Sequence, residues 1–191
     1  MKTITHIFLT LLFFVSLAGC KTEGKKDKSN SETTEVTSEK TEKQGQAFIK
    51  DDESRPNVLN IAIGSKDHTT LVTAVQAADL ENALVNAGPL MVFAPTNAAF
   101  EALPEGTVED LLKPENKETL ANILKYHVTP GNYSKDFLKK FKKLGQSNGN
   151  DAVISVKGED VFIGEAKIIA SIPAGNGIVH VIDKVLLPPT N

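Results

Sequence analysis

Along the chain, hydrophobic and polar positions fall into three regimes. Ile7 through Leu17 form a short apolar run, and from Lys21 to about Arg55 the large apolar residues thin to Val36, Phe48 and Ile49. Beyond Pro56 apolar positions recur with a period. The middle regime cannot bury enough apolar surface to offset the entropy of ordering it, so a folded domain is expected to begin near Pro56.

Within that domain the first period is helical. Leu71, Ala74, Val75 and Ala78 share one stripe; Asp79 is a candidate N-cap for a second stripe of Leu80, Ala83, Leu84 and Ala87, which Gly88 and Pro89 stop. Leu90 to Ala94 is an unbroken apolar run of strand length, the pattern of a strand covered on both faces. Thr96 and Thr107 are candidate caps for short helices carrying Phe100 and Leu103, then Val108, Leu111 and Leu112. Pro114 opens a helix striped by Leu120, Ile123 and Leu124, which His127 extends one turn further. Ser134 caps another, with Phe137, Leu138, Phe141 and Leu144 inside, lysines outside and Gly145 at its end.

The remaining segments, Ala152 to Val156, Val161 to Ile163, Lys167 to Ile172 and Ile178 to Leu187, read as strands separated by Gly- and Asn-rich turns. Helices precede strands, which predicts an α+β domain with a mixed or antiparallel sheet, not a doubly wound one.

Composition narrows the function. The chain has 191 residues, 40% of them hydrophobic and 24% charged, with a net charge of -3. One domain with appendages fits that length, and the balance gives no reason to expect nucleic acid or another polyanion. The sequence contains no phosphate-binding glycine loop with its lysine, no serine elbow and no paired Cys-x-x-Cys, so the common nucleotide, hydrolase and zinc signatures are excluded. Cofactors are not expected.

The N-terminus carries its own chemistry. Lys2, the short apolar run and Leu17-Ala18-Gly19-Cys20 read as a targeting segment over 1–19, too short for a stable membrane span. Leu17 to Cys20 resembles a bacterial lipobox, which implies that Cys20 becomes the mature N-terminus and carries acyl chains, each buried CH₂ contributing about 0.8 kcal/mol to the anchor. Residues 20–55 then form a lipidated, flexible, charged linker that sets the domain roughly 30 Å from the bilayer, and the domain occupies 56–189. Since Cys20 is the one cysteine, no disulfide can form within the molecule and packing must hold the fold.

Three segments together resemble the fasciclin family: Met91 to Phe100 with its Pro95-Thr96-Asn97, Tyr126-His127-Val128 followed by Pro130-Gly131, and Asn176 to Pro188 with its central Val179-His180-Val181. The resemblance implies a fasciclin-like β-sandwich or wedge with several helices packed on one side, non-enzymatic, used for adhesion or matrix interaction with protein or polysaccharide. Integrin-binding relatives carry an Asp-Ile pair before the closing motif; here the stretch reads Ala170-Ser171-Ile172-Pro173, without the acid, so integrin binding is not transferred.

The candidate contact residues are Tyr126 and His127 in the central motif, and Lys135, Lys139, Lys140, Lys142 and Lys143, which would place positive charge on one helix and its end for an acidic polysaccharide or anionic headgroups. His127 and His180, with only His68 and scattered carboxylates to join them, do not make a recognisable zinc set, so no metal site is expected. The expectation is a membrane-anchored binding module outside the cytoplasm, at the cell surface or outer membrane or on the periplasmic face, with a periplasmic scaffold or self-associating envelope protein as the alternative.

Overall fold

The structure is a computed structural model that describes residues 55–86 and 88–189. The targeting segment, Cys20 and most of the linker lie outside the described residues. The elements run α1 (Val58–Ile63), α2 (Thr69–Ala77), α3 (Glu81–Asn86), β1 (Leu90–Pro95), α4 (Asn97–Glu101), α5 (Thr107–Leu111), α6 (Lys117–Tyr126), β2 (Val128–Pro130), α7 (Lys135–Leu138), β3 (Lys143–Gly145), β4 (Asp151–Lys157), β5 (Asp160–Ile163), β6 (Ala166–Ala174) and β7 (Gly177–Ile182). This is the expected α+β class.

One mixed sheet contains all seven strands, in the order β2-β1-β7-β6-β5-β4-β3. β1 and β7 run parallel, from Leu90 opposite Gly177 to Pro95 opposite Ile182, and the other neighbours are antiparallel. The far ends of that order meet again. The Ser147 amide donates to the Val128 carbonyl at 2.7 Å, and the buried Thr129 hydroxyl donates to Gln146 Oε1 at 2.8 Å. The sheet is therefore curled into a wedge whose inside is a core.

Alternation along β1 divides the packing into two cores. Leu90, Val92 and Ala94 face the helical layer with Leu59, Val75, Leu124 and Val179. Met91 and Phe93 face the inside of the wedge with Leu138, Ile163, Ile168 and Ile182. A strand buried on both sides has no polar face to show, which is why its sequence is continuously apolar.

The asparagines of the motif segments fasten these layers. Thr96 caps α4, its hydroxyl accepting from the Ala99 amide. Next to it, Asn97 accepts from the Thr70 amide at 3.1 Å and donates to the Lys66 carbonyl at 3.0 Å, tying α4 to the start of α2. Asn176 accepts from the Val58 amide at 2.9 Å, donates to the Leu84 carbonyl at 2.8 Å, and takes the Leu90 amide on its own carbonyl at 2.9 Å. Beside it, a Cβ added to Gly177 would lie 1.8 Å from the Leu90 carbonyl oxygen, so only glycine lets β1 and β7 approach there.

Local expectations are corrected at four points. The helix capped by Ser134 stops at Leu138, and Leu144 belongs to β3, where it pairs with Ala152. A ladder with β4 outweighs the helical spacing of Phe137, Phe141 and Leu144. His127 is the C-cap of α6 instead of a further helical turn, because β2 begins at Val128. Asp79 does not cap α3: it sits at φ +53, directly after Ala78, the C-cap of α2, and forms an ion pair with Lys117. The final strand ends at Ile182, short of the expected Leu187.

Gly177→Ala is expected to cost about 3 kcal/mol or more, because the clash is with backbone, and Asn176→Ala about 2 to 3 kcal/mol for its unpaired partners. Urea unfolding of the two variants, with unchanged slope and lowered midpoint, is the measurement.

Candidate functional site

The central motif is buried and its polar atoms are engaged. Tyr126 packs in the wedge core, its hydroxyl donating to the Asp151 carbonyl at 3.2 Å; burial and then the Asp151 charge raise its pKa. His127 is also buried. The Leu186 amide donates to its Nε2 at 3.0 Å, so that nitrogen is an acceptor and the proton sits on Nδ1, donated to the Ile123 carbonyl at 2.8 Å. Burial lowers its pKa to about 4, opposed by the Ile123 bond. A second proton on the ring would face an amide N–H with no acceptor left.

His180 is held the same way. Its Nε2 donates to the Tyr133 carbonyl at 2.9 Å, its Nδ1 accepts from the Ser171 hydroxyl at 2.7 Å, and the ring stacks on Phe93 with centroids 5.6 Å apart. Burial lowers its pKa, the Tyr133 bond opposing it. Ser171 thus orients a core histidine. His68 bonds Ser65 through Nδ1 at 2.8 Å; burial lowers its pKa against Asp67 and the Ala94 carbonyl, and no contact of its Nε2 has hydrogen-bond geometry among the described residues. These rings are not brought into one cluster, and among the described residues no three His, Cys, Asp or Glu side chains gather as metal ligands.

The five lysines do not share a helix face. Lys135 and Lys139 bracket α7, Lys140 and Lys142 lie in the turn after it, and Lys143 begins β3. Lys135 donates to the Ile168 carbonyl at 3.2 Å, Lys139 pairs with Asp136 at 2.8 Å, and Lys143 lies 4.0 Å from Asp151. Lys140 stands over the Phe137 ring, 5.0 Å from its centroid.

That ring belongs to a cluster of which hydrophobic spacing had assigned Phe137 and Phe141 to a helix interior. Tyr133, Phe137 and Phe141 lie with centroids 5.2 to 5.5 Å apart. Tyr133 and Phe141 pack against the wedge core, while Phe137 is 42% exposed. The result is an aromatic platform, rigid beneath and open above, with a cation at its edge. The signal available in the sequence was three aromatic residues within nine positions; what hid it was their helical spacing.

A second feature lies between the helical layer and β1/β7: the side chains leave a cavity of about 220 Å³, walled by Leu59, Val75, Leu84, Val92, Leu124 and Val179 among others. Lys125 and Ser147 also line it, and both are exposed. No spacing in the sequence could reveal it, because its walls come from positions far apart and all of ordinary core type.

Against this geometry, the Fasciclin domain model matches residues 66–188. The chain is 44% identical over 152 residues to Protein sll1483 of Synechocystis sp., covering 79% of this chain and 84% of that one. It is 38% identical over 135 residues to transforming growth factor-beta-induced protein ig-h3 of Sus scrofa, spanning 70% of this chain but 20% of that longer protein. Among solved structures, a FAS1 domain pair from the insect cell adhesion molecule fasciclin I superposes with a TM-score of 0.62 at 16% identity, covering 69% of this chain and 51% of that one. At that identity the likeness shows the fold.

The buried neutral ring of His127 sets a pH dependence. In the unfolded chain a histidine binds a proton near pH 6.5, whereas the folded ring waits until about 4. The stabilisation is present above pH 6.5 and is lost as pH falls toward 4, by about 3 kcal/mol in all. Unfolding free energy measured between pH 7 and 4.5 is expected to fall, and to fall less in His127→Gln, with His68 and His180 supplying the residual slope.

Proposed function

The chain belongs to the fasciclin domain family, and from that premise we propose that it is a lipid-tethered adhesion or matrix-interaction module, non-enzymatic and held outside the cytoplasm through Cys20. Fasciclin domains occur in adhesion and extracellular-matrix proteins, and the solved structure of similar fold comes from a cell adhesion molecule. The observation that carries the assignment to a surface is the platform of Tyr133, Phe137 and Phe141 with Lys140 over Phe137. Rigid aromatic rings lose little entropy on contact and anchor interfaces, and a lysine beside them favours an acidic group on the partner. An acidic polysaccharide or an acidic protein segment has that chemistry.

A second reading is favoured by a different observation. Val153 and Ile169 are exposed by 52% and 55%, and exposed branched apolar side chains on strands suit self-association of an envelope scaffold.

Protease added to intact cells separates the two. Cleavage of the domain without lysis, with Cys20→Ser released from the membrane fraction, is expected for the displayed module; protection until the envelope is opened would indicate the periplasmic scaffold.

For the platform, Phe137→Ala with Lys140→Gln is expected to weaken binding to an acidic glycan at least about tenfold, since anchors of this kind contribute more than about 1 kcal/mol each. The fold, read by circular dichroism, should be unchanged. Equal binding by the double variant would remove the platform from the proposal.

A further inference from the structure

We propose that the cavity between the helical layer and the β1/β7 pair is a binding site for a single-chain monocarboxylate, a fatty acid whose hydrocarbon lies among the cavity walls and whose carboxylate meets Lys125. This is independent of the adhesion proposal, which concerns the opposite chemistry, an exposed aromatic platform.

The first support is the space itself. Protein cores pack like organic crystals and leave few voids larger than a water molecule, yet here the side chains of α1, α2, α3 and α6 stand off β1 and β7 by enough to leave about 220 Å³. An apolar cavity of about 150 Å³ takes up benzene, so this one suits a chain of roughly eight carbons.

The second support is what the walls can hold. Water needs two to four polar partners in such a place, and the lining is dominated by Leu, Val and Ala. The one buried polar ring in the lining, His127, has both nitrogens committed, to Leu186 and Ile123. The walls therefore favour hydrocarbon over water or a polar solute.

The third support fixes the head group. Of the exposed residues in the lining, Ala83 is apolar and Lys125 and Ser147 are polar. Ser147 is kept beside α6, because its amide bonds the Val128 carbonyl and the next residue, Asn148, donates to Asn122 at 3.1 Å. Lys125 forms no ion pair among the described residues. Lys125 and Ser147 thus put a cation and a hydroxyl in the exposed part of an otherwise apolar lining, the complement of a carboxylate on an alkyl chain. An amphiphile with two long chains exceeds the volume.

The test is a methyl NMR titration of the mature chain with sodium octanoate, beside acetate and 1-octanol. Octanoate is expected to shift the methyls of Leu59, Val75, Leu84, Val92, Leu124 and Val179 together and saturably, and acetate to leave them unmoved. Ala62, another wall residue, supplies the blocking variant: Ala62→Leu fills the space and should weaken octanoate binding at least about tenfold. Lys125→Gln should weaken octanoate about threefold, the usual reach of an exposed ion pair, with 1-octanol unaffected.

Shifts confined to surface methyls, no shift at millimolar octanoate, or full binding by Ala62→Leu would overturn the site. Equal loss of octanoate and 1-octanol in Lys125→Gln would overturn the assignment of the head group. Should Ala62→Leu fail to fold, the position of the shifting methyls in the unaltered chain still decides between cavity and surface.

Discussion

The parallel pairing of β1 and β7 is the constraint on which the remainder of the domain depends. It lies inside the sheet order, with β2 on one side and β6 on the other, and it is covered on both faces, by helices through Val92 and Val179 and by the wedge core through Met91 and Phe93. A parallel pair cannot be closed by a short turn, so the chain between the two strands must travel away and return. It does so by building α4 to α7 and the four strands of the meander β3 to β6. Both cores are assembled on this pair, and Gly177, opposite Leu90, sets how closely its first residues approach.

The polar residues of the three motif segments serve that arrangement. Asn97 and Asn176 fasten helices to one another and to β1. His127 joins the end of α6 to the segment after β7, and His180 joins β7 to β6 and to the turn before α7. Burial disfavours charge on both imidazoles, and at His127 the Leu186 amide, which can only donate, adds to this. Residues that look like chemistry in the sequence are thereby structural fasteners. The two proposed recognition features, the aromatic platform beside α7 and the cavity beneath the helices, rest on what these fasteners hold in place.

The parts of this fold legible in the sequence are those with a sustained pattern or a named turn. Leu90 to Ala94 read as a doubly covered strand, and the turns at Lys157-Gly158-Glu159 and Ala174-Gly175-Asn176-Gly177 located β4 to β7 within a few residues. β2 and β3 were not legible, since three residues carry no periodicity; their existence is decided by partners distant in sequence, Leu90 to Val92 for β2 and Asp151 to Val153 for β3. The lysines were legible as a charge cluster but not as separate side chains with separate partners, because the helix that would have aligned them ends at Leu138. The platform required knowing that Phe137 points outward while Tyr133 and Phe141 rest on the core. The cavity required the whole packing, since every residue that walls it looks like an ordinary core residue.

Native-state hydrogen exchange tests the central role of the β1/β7 pair most directly. The amides of Val92, Phe93 and Ala94 and of Val179, His180 and Val181 should exchange most slowly, and only through global unfolding, with protection matching the full unfolding free energy. Exchange of these amides ahead of those in α2 or α6 would contradict it, and would place the stable centre of the domain in the helical layer.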